Sequence, residues 1–198
     1  MAEKKTTEKE ILDFFPMLEK YSSEEIKIED PGLKKYINTE VSNIFMGGVN
    51  SNKIFAKSKY PIVERLINNI MRTEKYTGKK TKAYKAVRDA FEIIDKKMKK
   101  NPLQVLIDAV QNAAPKEEAT RLRFGGISVP KAVDVAPQRR IDIAVRNIAT
   151  GVTNSSKKNK KNIAVCIADE LMKASKNDVN SFSISKKNDV ERVAKSAR

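Results

Sequence analysis

The sequence predicts a mainly α protein: a six-helix bundle with one protruding two-stranded β-hairpin and an irregular N-terminal extension. Three observations carry this. From Pro61 onward, apolar residues recur at steps of three and four in one segment after another, the spacing that gathers them on one face of a helix. Between Thr120 and Arg146 the period changes, and alternating apolar and polar residues flank the pair Gly125-Gly126. Before Pro61 neither period is sustained. The expected division is an acidic-to-polar extension over 1–60 and a helical domain over 61–198, with the hairpin at about 118–136.

The hairpin follows from its glycines. Both can take positive φ without a Cβ clash, so Gly125-Gly126 reads as a two-residue loop. That loop sets Phe124 opposite Ile127 and Leu122 opposite Val129 on an apolar face, and leaves Arg121 and Arg123 on the other. Val133 and Val135 continue the return strand, and Pro130 marks it as an edge because proline cannot donate to a ladder. A lone two-stranded arm is the result.

In chain order, Ile11, Leu12, Phe15 and Leu18 suggest a short apolar turn broken by Pro16. Ile26 and Ile28 alternate like a brief strand before the turn signal Asp30-Pro31-Gly32. Residues 46–59 have no period and are expected to order only on a partner. Helices follow on Val63, Leu66, Ile67, Ile70 and Met71; on Tyr84, Val87, Phe91, Ile94 and Met98; and, after an Asn101 cap and Pro102, on Leu103, Leu106, Ile107 and Val110, ending at Pro115. A basic loop, YTGKKTK at 76–82, separates the first two. Pro137 opens a fourth helix on Ile141, Val145, Ile148 and Val152, with Arg139, Arg140 and Arg146 at its start and on its solvent side. A polar linker is expected over 154–162, NSSKKNKKN. The fifth helix carries Ile163, Ile167 and Leu171 with Cys166 as packing, and a tail helix is expected near Asn188, where Glu191 completes a capping box and Val190, Val193 and Ala194 form the apolar side.

Charge narrows the function. Of 40 bases and 25 acids, residues 1–31 hold 5 and 9, so the rest carries 35 against 16, a net +19. That balance favours a polyanion, because each phosphate neutralised by Lys or Arg releases condensed counterions. RNA, DNA and anionic lipid share that chemistry. A basic ribbon on a helical body also suits an architectural DNA-binding protein. A membrane-surface protein would want bulky exposed apolars on a basic helix, and tryptophan is absent. No apolar run reaches membrane-spanning length and the N-terminus lacks a signal-peptide core, so a soluble cytoplasmic protein is expected.

Catalytic chemistry is not expected. One cysteine and no histidine leave no disulfide, zinc set, or nucleophile–His pair. Gly78-Lys79-Lys80-Thr81 fails as a phosphate loop: Thr73 stands at the first glycine position and Lys80 where Ser or Thr belongs. No cofactor, metal or small-molecule substrate is expected.

The order of elements, with YPIVERLINNIM at 60–71, TGKKTKAY at 77–84, NPLQVLIDAVQNAAP at 101–115, RFGGISVPKAVDVAPQRRIDIAVR at 123–146 and the ending VERVAKSAR, resembles the universal small-subunit ribosomal protein seven family. EDPGLKKYIN at 29–38 and the arginine-terminated tail are similar to its archaeal and eukaryotic branch. The resemblance implies a six-helix bundle with a protruding hairpin. It further implies binding to the 3′ major domain of small-subunit rRNA, and a hairpin near exit-site tRNA and mRNA, among neighbouring ribosomal proteins. By position it places Arg121, Arg123, Gly125 and Gly126 on that hairpin, Arg139 and Arg140 at an rRNA-facing helix start, and Lys79, Lys80 and Lys82 on the rRNA surface. Lys131, Arg146, Lys157, Lys158, Lys160, Lys161 and Arg198 complete the candidate RNA contacts. The chain departs from the archaeal pattern before Pro61, where MGGVNSNKIFAKSKY replaces an Arg- and His-rich stretch; lysine lacks arginine's planar fork.

Overall fold

Capping side chains start three of the longer helices. The Asn101 side chain accepts from the Leu103 amide at 3.0 Å with Pro102 next in line, Asn162 accepts from Ala164 at 3.3 Å, and Ser181 accepts from Ile184 at 3.4 Å. In the computed structural model, which describes residues 21, 26–39, 52–159 and 161–198, the elements are α1 (Pro31–Lys34), α2 (Ile62–Met71), α3 (Lys80–Met98), α4 (Pro102–Ala113), β1 (Glu117–Phe124), β2 (Ile127–Asp134), α5 (Pro137–Lys158), α6 (Ile163–Ser175) and α7 (Phe182–Ser196). The six longer helices and the hairpin are the architecture expected from the periods; α1 is a single added turn.

One core joins these helices. Leu66, Ile67 and Ile70 of α2, Val87, Phe91 and Ile94 of α3, Leu106, Ile107 and Val110 of α4, and Ile141, Val145, Ile148 and Val152 of α5 are all buried, as their spacing requires. Between them lies α6, packed against α3, α4, α5 and α7. Its buried face is largely Ala164, Cys166, Ala168 and Ala174 with Ile167 and Leu171, small enough for close helix approach. Cys166 is part of that packing.

Glu170 is the one carboxylate of α6 turned inward, 6% exposed. Its Oε1 accepts from the Ser181 hydroxyl (2.8 Å) and from both the amide (3.0 Å) and hydroxyl (2.9 Å) of Ser183; its Oε2 accepts from the Phe182 amide at 3.4 Å. The two amides are orphan donors of the first turn of α7 and the two hydroxyls flank them, so a buried carboxylate is matched by a helix N-terminus. Gly151 of α5 permits the approach: a Cβ there would lie 2.9 Å from Phe182 Cβ and 3.2 Å from Glu170 Cδ.

The hairpin has the expected loop. Gly125 and Gly126 have φ of +54° and +88°, both left-handed, and the register sets Phe124 opposite Ile127 and Leu122 opposite Val129. Counting back from the loop, Arg121 and Pro130 form a non-hydrogen-bonded pair, so the donor that proline lacks would have pointed away from β1. Two residues on, Ala132 uses that outward direction to donate to the Ala197 carbonyl at 3.3 Å. The base of the arm is held by the tail of α7, and the tip, with Leu122, Ile127 and Val129 exposed, lies outside the core.

Several local expectations are corrected. Residues 26–30 form no strand; the backbone of Lys27 exchanges bonds with the Gln104 side chain, and the amides of Glu29 and Asp30 both donate to Gln111 Oε1 at 2.9 Å. Glutamines on α4 replace the missing sheet partner. Asp30-Pro31-Gly32 starts α1, whose Leu33 is fully buried, with Ile37 beyond it 6% exposed. Residues 56–59, part of the unpatterned segment, form a 3-10 turn anchored by buried Ala56. The basic loop ends at Lys79, so Lys80 and Lys82 sit on α3. The polar linker is helical through Lys158: Val152 and Ser156 remain buried on α5, and extended Asn159 ends it. Polar composition correlates with loops without causing them. The tail helix begins six residues before Asn188, because its cap is Ser181 and Glu170 rather than a local box, and Val193 is exposed. The apolar turn expected at Ile11–Leu18 lies outside the described residues.

Replacing Glu170 by Ala removes the shared acceptor of four donors, of which one serine hydroxyl can turn to the other at 2.8 Å, and is expected to lower stability by about 3 kcal/mol, while Glu170→Gln, which keeps one acceptor oxygen, loses about 1 kcal/mol. Urea unfolding midpoints measure both; equal midpoints for the alanine variant and the parent would refute this role.

Candidate nucleic-acid interface

Two polar stripes face each other across the bundle. On α2, Arg65, Asn68, Asn69 and Arg72 recur at i, i+3, i+4 and i+7 opposite the apolar stripe. On α5, Gln138, Asp142, Arg146, Thr150, Thr153 and Lys157 do the same over five turns. Since α2 packs on α5, the stripes enclose an open groove of about 580 Å³ that takes in Lys53, Phe55, Lys57 and Tyr60 from the preceding segment and Lys80 from α3. Asn69, Arg72 and Arg146 also line a second cleft of about 390 Å³, reaching Glu74 and Lys157, so the two are continuous.

The larger groove presents six cations, Lys53, Lys57, Arg65, Arg72, Lys80 and Arg146, against two carboxylates, Glu64 and Asp142. Its acids are already engaged. Lys80 Nζ donates to buried Glu64 at 2.5 Å, and Asp142 is shared between Arg65 (2.9 Å) and Lys57 (3.8 Å). Arg65 is buried and also donates to the Tyr36 carbonyl at 3.2 Å, so it is a structural cation. Lys53, Arg72 and Arg146 are exposed and without an acidic partner among the described residues. At the far end Lys157 pairs with Glu74 at 2.8 Å, and this contact holds the Glu74 carboxyl below its ordinary range.

Phe55 stands at the edge of this groove with φ +60°, and its side chain is 67% exposed. The left-handed region costs a non-glycine residue about 1 kcal/mol or more. It is held there by Ser58, whose amide (3.2 Å) and hydroxyl (2.9 Å) both donate to the Phe55 carbonyl.

The residues expected to touch RNA fall into two groups. Lys79, Lys82, Arg121, Arg123, Lys131, Arg146 and Lys161 are exposed and have no ion pair among the described residues. Arg121, Arg123 and Lys131 belong to the arm and Arg146 to the groove, so these are separate surfaces. Arg139, Arg140, Lys80, Lys157 and Arg198 instead meet acids. Arg139 grips Glu118 of β1 with two bonds of 2.9 and 3.0 Å, which raises its already high pKa, and Arg198 pairs with Glu117. Arg140 turns inward, 11% exposed, onto Asp30 at 2.8 Å. Gly125 and Gly126 form the tip. Lys158 ends α5, and Lys160 lies outside the described residues. Sequence reasoning missed Arg65 and Arg72, which the helical spacing of polar residues on α2 would have found.

A family model described as Ribosomal protein S7p/S5e matches residues 34–198. The chain is similar to proteins named small ribosomal subunit protein uS7: that of Thermoplasma volcanium is 56% identical over 183 residues, 92% of this chain and 100% of the relative. That of Picrophilus torridus is 53% identical over 90% of this chain and 96% of its own length, and that of Archaeoglobus fulgidus 54% over 90% and 93%.

Asp30 makes the internal role of Arg140 testable. Burial raises its carboxyl, but the hydrogen bond and charge of Arg140 and the amides of Gly32 and Leu33 outweigh it, so the carboxyl ends below its ordinary 3.8. A depressed carboxyl stabilises the fold at neutral pH, and that contribution is lost as pH falls below about 4 and through the folded value. Arg140→Ala is expected to cost about 2 kcal/mol at pH 7 and to flatten the loss of stability below pH 4. Thermal melts from pH 3 to 7 measure both; unchanged melting at pH 7 would refute it.

Proposed function

The chain belongs to the Ribosomal protein S7p/S5e family, and we propose that it is a structural, RNA-binding constituent of the small ribosomal subunit, seated by its helical body on the 3′ major domain of the rRNA. Its work is positioning, not catalysis. The observation that supports the rRNA reading best is the groove between α2 and α5: six cations against two acids, with Lys53, Arg72 and Arg146 left for phosphate. Lys79 and Lys82, at and just inside the start of α3, extend the basic surface, and Lys161 adds to it beyond α5.

The arm has a separate role. Its tip is too exposed to serve the core and carries Arg121, Arg123 and Lys131 beside the apolar Ile127 and Val129. A two-stranded ribbon is marginal alone in water, and here its base is braced by α7, Arg139 and Arg198, so the tip is presented without having to fold by itself. This suits a probe held beside exit-site tRNA and the outgoing mRNA, with the body as its anchor to rRNA and to neighbouring subunit proteins.

Two measurements test these roles. Replacing Arg72 and Arg146 together by Ala is expected to leave melting unchanged and to reduce the slope of log affinity against log salt by about one to two for a 3′ major domain transcript. An unchanged slope in filter binding would sink the groove as the rRNA site. Excising 121–130 and closing the gap with a short Gly-Ser linker is expected to preserve melting and rRNA affinity, and to reduce retention of exit-site tRNA by reconstituted subunits. Full tRNA retention would refute the role of the arm.

A further inference from the structure

Among the described residues Phe55 is the one aromatic side chain of the groove that is largely exposed, and three features set it apart from an incidental surface phenylalanine. Its backbone is in the left-handed region, which L side chains rarely adopt and a ring on Cβ does not favour. Local bonds enforce that conformation: Ser58 donates twice to the Phe55 carbonyl, and the Ala56 amide donates to the Lys53 carbonyl at 3.3 Å while Ala56 itself is buried. The chain is thereby pinned on both sides of Phe55 while the ring is left in solvent. Lastly, the ring lines the same cleft as Lys53, Lys57, Arg72 and Arg146.

We propose that Phe55 is a stacking platform for one unpaired nucleobase of the bound RNA, with the flanking phosphates held by Lys53, Arg72 and Arg146. The proposal rests on the groove being the rRNA site. The chemistry selects the ligand: a planar apolar face ringed by cations matches a base carried on a phosphate backbone, and every base has a π-face to offer. A duplex hides those faces, so the nucleotide comes from a bulge, loop or single strand. An acidic peptide would use the cations and leave the ring idle. A lipid surface would call for several bulky apolar residues; here the described segment exposes two, Ile54 and Phe55, and of these only Phe55 lines the groove with the cations.

The chain has no tryptophan, so Phe55→Trp places a single tryptophan at the site, excited selectively at wavelengths above the tyrosine absorption band. On binding a transcript of the 3′ major domain, its emission is expected to be quenched at near-parental affinity, while inorganic polyphosphate, which has charge but no bases, binds without quenching. Phe55→Ala and Phe55→Leu are expected to lose about tenfold in affinity for the transcript, the size of one base–aromatic stack, with the salt slope and melting temperature unchanged. The leucine variant keeps apolar bulk without a ring, so parental affinity there would overturn the proposal. So would Trp emission indifferent to the transcript, or quenching by polyphosphate alone. If the parent protein fails to bind the transcript, the groove's role and the platform fall together; if it binds and only the Phe55 variants behave like the parent, the platform alone falls.

Discussion

The buried carboxylate of Glu170 is the interaction on which the placement of α7, and through it the base of the hairpin, depends. A charge 6% exposed is costly unless hydrogen-bonded, and here four donors from Ser181, Phe182 and Ser183 converge on it where α7 begins. The contact fixes the start of α7 against α5 and α6. From there the helix runs to the hairpin, where Glu191 accepts from the Lys116 amide, Ala197 accepts from Ala132, and Arg198 meets Glu117. The base of the arm is thus tied to a junction some fifteen residues away along α7. Gly151 belongs to the same constraint, since a side chain there would push α7 away.

A second constraint divides the positive charge. The excess of bases is not a uniform coat: Arg65, Arg139, Arg140 and Arg198 are used to join elements distant in the chain, each to a specific acid. Three of these acids, Asp30, Glu117 and Glu118, lie on segments that would otherwise be loosely attached, the N-terminal segment and the base of the hairpin. Arginine suits this work because its planar fork reaches two acceptors at once, as Arg139 does on Glu118. Cations without such partners include those of the groove, of the arm and of the approach to α3, beside lysines scattered over the rest of the surface such as Lys99, Lys173 and Lys176.

The N-terminal segment illustrates how little local sequence decides once a surface is available. Ile26 and Ile28 pack on the core as an extension over a larger surface should, yet the alternation that suggests a strand finds no strand beside it. Side-chain amides of Gln104 and Gln111 satisfy the backbone instead. Leu33 and Ile37 then enter the same core as the long helices.

By itself the sequence determined the class of fold, the six long helices and the hairpin with its register, because these follow from short-range periodicity and turn chemistry: a stripe at steps of three and four, an Asn-Pro start, a Gly-Gly loop. It gave as well the charge excess that favours a polyanionic partner, since net charge needs no structure to be counted. Only the tertiary structure decided where helices end when the reason lies elsewhere in the chain, as with α5 running through its polar end and α7 starting on Glu170. It decided likewise which of the bases bind inward and which face solvent. Arg139 and Arg146 look alike in sequence; one has Glu118 of β1 within reach and the other lines the groove beside α2 with no acid partner among the described residues, and no local pattern records which neighbour each meets.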